Sequence, residues 1–164
     1  MVQQPDLTTI LGQESHPIEF VTGLIGLEEW RRFVLITHPA GEPLRLLQSL
    51  DNPRLSLIVT DPRQLISDYQ VSLTEADVQK LRYVGDPRFL ESDESDIAVY
   101  SILSVEEDPF NVTVNLLGPV VINWQTSLAL QIVLFDLNYS PRHPLTGTLP
   151  SHSSSNRLSE KERE

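Results

Sequence analysis

Apolar residues recur at every second position through much of this chain. Ile18 and Phe20 bracket Glu19, while "FVLI" (33–36) and "RLLQS" (45–49) flank "THPAGEP", a Pro- and Gly-rich turn. Leu55, Leu57 and Val59 share one face, with Ser56 and Thr60 on the other. Ile97, Val99, Ser101, Leu103 and Val105 make a second long alternation. Phe110, Val112, Val114 and Leu116, opposed by Asn111, Thr113 and Asn115, make a third, and Leu128, Leu130, Ile132 and Leu134 a fourth. Period-two patterning turns one face of each segment toward a core. Six to eight such strands, separated by turn signals, predict an all-β fold: a small antiparallel β-barrel-like or sandwich domain.

Two stretches break the alternation and predict one or two short helices. "LEEWRRF" (27–33) follows Gly26 and suits one or two turns, with Leu27 and Trp30 on the same side. "SLTEADVQKLRYV" (72–84) carries the stronger signal. Thr74 can cap its N-terminus, Asp77 completes a capping-box spacing, and Lys80 and Arg82 stand in the last turn, with Val78 and Leu81 facing inward. "GDPRFLESDES" (85–95) is a loop by composition. Residues 1–15 show no periodicity and read as a loose lead-in. From Ser151 onward no apolar stripe remains, which predicts a disordered tail. The expected organisation is a lead-in (1–15), a single β domain (16–147) and a tail (148–164), as suits 164 residues.

"NLLGPVVIN" (115–123) stands apart from the other runs. Two apolar stretches meet at Gly118-Pro119, with an Asn at each end. Proline lacks the donor that a central ladder needs. Asn115 and Asn123 are therefore expected to bond backbone groups where the strands bend, with a partner-facing role as the second reading.

Charge narrows the choice of partners. There are 23 acidic and 12 basic residues, a formal net charge of −11. The last fourteen residues, "SHSSSNRLSEKERE", balance their signs, so the excess lies in residues 1–150. Asp86, Glu91, Asp93, Glu94, Asp96, Glu106, Glu107 and Asp108 face Arg88 alone in that stretch. Such a field repels phosphate backbones and anionic lipid and speeds encounter with basic proteins. Direct nucleic-acid or membrane binding is not expected. The most apolar region, Val112 to Phe135, carries Asn115, Asn123, Gln125 and Gln131, too many polar groups for a membrane span.

Chemistry for catalysis is sparse. With no Cys, disulfides, thiolate metal sites and Cys nucleophiles are excluded, as suits a reducing cytosol. The N-terminal "MVQQPDLTTILGQES" is polar and interrupted, unlike a secretion signal. The histidines (16, 38, 143 and 152) lack ligand spacing, and His16, His38 and His143 adjoin prolines in expected turns. No nucleophile elbow, phosphate loop or dinucleotide fingerprint occurs. Asp93, Glu94 and Asp96, with Glu106 to Asp108, match no EF-hand spacing. A paired-carboxylate hydrolase and a small-ligand β barrel stay as alternatives. Neither enzymatic activity nor a cofactor or metal is expected.

Four blocks, "EFVTGLIGLEEWRRFVLI" (19–36), "LRLLQSLDNPRLSLIVTDP" (44–62), "VYSILSVEEDPFNVTVNLLGPVVIN" (99–123) and "SPRHPL" (140–145), resemble the flagellar assembly factor FliW family in order and spacing. The resemblance implies a small β-barrel-like protein of the bacterial cytoplasm without enzymatic activity. It implies two protein partners, flagellin and the RNA-binding translational repressor CsrA, whose block on flagellin translation the factor relieves until accumulating flagellin occupies it. After Asn123 this chain reads "WQTSLALQ", where many members carry a basic, glycine-containing turn. The candidate partner-binding residues are Asp93, Glu94, Asp96, Glu106, Glu107, Asp108, Asn115 and Asn123. The chain is expected to be a monomer on its own. "RLLQS" or "LSLIVTDP" is expected to offer flagellin an edge strand or barrel rim.

Overall fold

Alternation becomes nine strands in the computed structural model, which describes residues 17–37, 39–87, 96–107, 109–135 and 138–145. They are β1 (Ile18–Phe20), β2 (Arg32–Ile36), β3 (Arg45–Ser49), β4 (Ser56–Thr60), β5 (Ile97–Glu107), β6 (Phe110–Val114), β7 (Val120–Asn123), β8 (Leu128–Gln131) and β9 (His143–Pro144). Around the barrel the order runs β4-β3-β2-β1-β8-β7-β5, and the β4–β5 pairing at Val59↔Ile102 and Thr60↔Ser101 closes the ring. Closure removes the free edges that an open sheet of short strands would expose. One pairing departs from the expected antiparallel pattern. β1 lies parallel to β8, with Glu19 opposite Leu128 and Phe20 opposite Ala129. A strand's alternation states which face it buries, and it is silent on the direction of its neighbour.

The ring is filled by side chains. Ile18, Phe20, Phe33, Leu47, Val59, Tyr100, Val120, Ile122 and Ala129 are all buried and belong to one cluster. Phe20 and Phe33 meet edge to face with centroids 5.3 Å apart, the geometry that aromatic quadrupoles favour. Each fully buried side chain of this size contributes about 1.5–3 kcal/mol of transfer free energy. Arg45 and Tyr100 share this cluster's surroundings. The guanidinium lies 5.4 Å from the ring centroid, and its Nη1 donates to the phenol oxygen. Burial pushes the Tyr100 pKa up, and the Arg45 charge works against that shift. The interior that a small-ligand barrel would leave open is taken by these residues.

A second core lies on the outer face of β5, β7 and β8. Ile97, Val99, Leu103, Val121 and Leu130 point away from the ring and are covered by Tyr69 and Leu81. Both faces of these strands are therefore buried, which is why all four residues of β7 are inaccessible. The cover is formed by residues 61–87, between β4 and β5, which contain helix α1 (Glu75–Leu81). Its start is as expected: Thr74 accepts from Asp77 N–H (3.1 Å) and Asp77 accepts from Thr74 N–H (2.9 Å). Leu81 is fully buried and Val78 half-buried. Tyr69 pins the cover by donating its hydroxyl to the Leu116 carbonyl at 2.6 Å, and burial pushes its pKa well up.

The expected helix at 27–33 is absent. Gly23 and Gly26 sit at φ +79° and +84°, so the chain turns twice and Leu24 bridges Leu27 before β2 begins at Arg32. The Glu28 carboxylate accepts from Gly26 N–H at 3.0 Å, and that bond lowers the Glu28 pKa. A Cβ at Gly23 would lie 2.7 Å from the Glu28 Cα. Gly23→Ala therefore meets both a disfavoured φ and a backbone clash. It should cost more than about 1 kcal/mol, read as a lower urea midpoint at unchanged m-value. A midpoint equal to wild type would remove this turn as a constraint on the barrel.

Candidate functional site

β6 and β7 form one interrupted strand along the same edge of β5. Asn115 N–H donates to the carbonyl of Ile102, and Trp124 N–H to that of Asp96. These acceptors are an even number of residues apart, so both partners lie on one side of β5. The register changes between them. Leu103 faces Val114 and Tyr100 faces Val120, so three steps along β5 answer six along its partner. The excess is the bulge "NLLGP" (115–119). Asn115 Oδ1 accepts from Leu117 N–H (3.1 Å) and Gly118 N–H (2.9 Å), and Leu116 N–H donates to the Ser140 carbonyl (2.9 Å). Asn123 is fully buried. Its Nδ2 donates to Leu81 O (2.9 Å) and its Oδ1 accepts from Gln125 N–H (3.1 Å). The local reading of both asparagines is the one the structure realises.

The acidic candidates are spread out. Asp96 precedes β5 and accepts from Gln125 Nε2, whereas Glu106 and Glu107 end the same strand. Ten residues of extended chain separate Asp96 from Glu106, roughly 30 Å. They do not form one contact patch. That separation also far exceeds the about 5–9.5 Å that glycosidase carboxylate pairs require. Asp93, Glu94 and Asp108 lie outside the described residues, as do His16, His38, His152 and the segments 1–15 and 148–164.

From Leu103 onward β5 leaves the ring and pairs with β6 as a ribbon, completed by β9 at Thr113↔Pro144 and Val114↔His143. His143, expected in a turn, is in this short strand. Glu106, exposed on the ribbon, is paired with Arg142, so its charge is partly balanced; Glu107 is exposed. Phe110 at the ribbon's end is 75% exposed, and Val105 is open as well. Trp124, beside Asp96, is more than one-third exposed.

The expected edge is found only in part, over Ser56–Ile58 of β4, which have no strand partner on the β5 side among the described residues. β3 is paired on both sides, to β2 and β4, and β4 is paired to β3 and, at its C-terminal end, to β5. Asp51 is a structural residue that sequence reasoning passed over. Its carboxylate accepts from the N–H groups of Arg32 and Arg31 (both 3.0 Å) and from Arg32 Nε (2.9 Å). These bonds, the Arg32 amide first, hold its pKa below the ordinary aspartate value. The signal was an Asp five residues ahead of β4 with two arginines entering β2, visible only once the β2–β3 register is known. Among the described residues no group of three or more His, Asp or Glu is placed to hold a metal ion, and no helix is long and apolar enough to cross a membrane.

A closed ring with a filled interior, a covering segment and an acidic exterior defines a small β-barrel protein whose distinguishing features lie on its outside. Comparison with known proteins identifies its kind. The FliW protein family model matches residues 1–145, and the chain belongs to the FliW family. "Flagellar assembly factor FliW" of Geobacter sulfurreducens is 36% identical over 132 residues, covering 80% of this chain and 77% of that protein. Its counterpart in Clostridium beijerinckii is 33% identical over 134 residues, covering 82% and 89%. A crystal structure of the flagellar assembly factor FliW superposes with a TM-score of 0.68 at 29% identity, covering 82% of this chain and 91% of that one.

Two substitutions probe these local networks. Asn123→Ala removes a buried donor from Leu81 O, which keeps Thr126 Oγ1 at 2.9 Å, and an acceptor from Gln125 N–H. We expect a loss of about 1–2 kcal/mol in urea denaturation; no loss would mean that Thr126, Tyr69 and apolar contact hold the cover without Asn123. For Asp51 the folded pKa is depressed. Its contribution is fully present above the unfolded value of about 3.9 and fades as pH falls through the folded pKa. The stability gap between wild type and Asp51→Asn should be constant from about pH 8 to about pH 5 and narrow below about pH 4. A gap that stays constant in acid would contradict the bonding described.

Proposed function

We propose that this chain is a cytoplasmic regulator that works by docking onto other proteins: it binds flagellin, and it binds CsrA and relieves that repressor's block on flagellin translation. The observation that carries the reading is family similarity running through residues 1–145. The net charge of −11 supports it, since an RNA-binding repressor must present a basic surface and attraction between unlike charges speeds encounter. In this reading flagellin and CsrA make alternative calls on the same protein, so the free fraction reports the flagellin level.

The six acids, Asp93, Glu94, Asp96, Glu106, Glu107 and Asp108, act in this scheme as a field rather than a shared footprint, since Asp96 precedes β5 and Glu106 and Glu107 end it. Such a field is screened within about 8 Å at physiological salt and acts mainly on the association rate. Binding to purified flagellin and CsrA at micromolar concentration tests the reading as a whole, and failure to bind either would end it. Replacing the six acids by Asn or Gln should slow association with CsrA about tenfold at low salt and flatten its salt dependence. An unchanged rate and slope would take these acids out of the mechanism.

A further inference from the structure

The barrel uses only one edge of β8 along its full length. On the β7 side the ladder continues past the strand: Ile132 N–H donates to Pro119 O (3.0 Å) and Leu134 N–H to Leu117 O (2.8 Å). On the other side β1 reaches only as far as Val21, whose N–H donates to Ala129 O (3.0 Å). There the chain turns away at Gly23. Val133 and Phe135 make no backbone hydrogen bond among the described residues. Their side chains are 51% and 94% exposed. Ile25, 63% exposed, is tied to the same place because its N–H donates to Gln131 Oε1 at 2.9 Å. A cleft of about 610 Å³ lies against residues 131–135, with Gln70, Ser72, Thr74 and Asp77 as its other wall. Single exposed apolar side chains are ordinary; three gathered at an unpaired strand edge are not.

We propose that this edge accepts an extended segment of a partner polypeptide as an added strand, on the line of β1 and alongside β8. The segment has apolar residues at alternate positions and lysine or arginine beside them. This rests on the reading that the chain docks onto other proteins. Backbone donors and acceptors repeating every second residue are matched by another polypeptide in extended form. Val133 and Phe135, two residues apart, set the apolar alternation. The wall of the cleft sets the charge: among the described residues that line it, Asp77 is the one charged side chain and none is basic. An acidic or phosphorylated segment is repelled there.

The test uses the full chain, labelled with nitrogen-15, and the capped peptide KVTVKVTVK as probe. At millimolar peptide the amide protons of Val133 and Phe135 should exchange about tenfold more slowly or better, while the peptide EVTVEVTVE should bind about tenfold more weakly. Val133→Asp and Phe135→Asp alter exposed side chains and should abolish the protection with an unchanged urea midpoint. Unslowed exchange at both amides, or equal binding of the glutamate peptide, overturns the proposal. So does protection that appears without peptide and grows with protein concentration, because a second copy would then be the occupant. The functional reading is separated by assaying the same variants against flagellin and CsrA. If wild type binds and both variants bind equally well, the edge proposal fails and that reading stands. If wild type binds neither, the reading fails, and peptide protection still supports the edge.

Discussion

Two-sided burial of β5, β7 and β8 is the constraint on which the rest of this molecule depends. Seven short strands enclose one modest interior, and Phe20, Phe33 and Tyr100 occupy much of it. The outer faces of three of those strands are as apolar as their inner faces, so the ring is stable in water only with something laid over it. The segment from β4 to β5 is that cover. Among its described residues, 61–87, regular structure is a 3-10 turn at Pro62–Gln64 and α1, and it is fastened by polar groups at fixed points, Tyr69 to Leu116 and Asn123 to Leu81. Apolar contact gives the cover its adhesion, and the buried hydrogen bonds set its position.

That arrangement explains how a protein of this size presents varied surfaces. The ring supplies a fixed frame, and the segments that leave it carry the exposed features: the β5–β6 ribbon with Glu106, Glu107 and Phe110, the β7–β8 turn with Trp124, and the bare end of β8. The charged and apolar elements sit in different places. Charge is spread along the molecule, whereas open backbone occurs beside residues 133 and 135. In the proposed scheme the acids act on encounter with a basic partner, and the open backbone on the final contact.

Most of the strands were legible from alternation alone. β2 to β6 lie where period two predicted, and the capping pair Thr74 and Asp77 marked the start of α1 correctly. Continuous burial of "VVIN" (120–123) also had a signal, an apolar run without alternation, which marks a strand covered on both faces. Less could be read where the outcome depends on partners distant in the chain. The parallel pairing of β1 with β8 joins segments more than a hundred residues apart. The stretch 27–33 has helix-forming composition, yet the left-handed glycines ahead of it commit the chain to a turn. For the candidate surface, sequence proximity misled: Asp96 and Glu106 appear close in the primary structure, and an intervening extended strand holds them far apart.

The bulge between β6 and β7 has a structural corollary. Because it carries three surplus residues, side chains of even number face the outer core before it and the interior after it: Val114 belongs to one cluster, Val120 and Ile122 to the other. β7 is held in its facing by pairing on both edges and burial on both faces, so a residue gained or lost between Asn115 and Pro119 is taken up in the bulge and leaves Val121 and Ile122 in their separate cores. The bulge is a joint that lets one edge of β5 serve two cores of opposite parity.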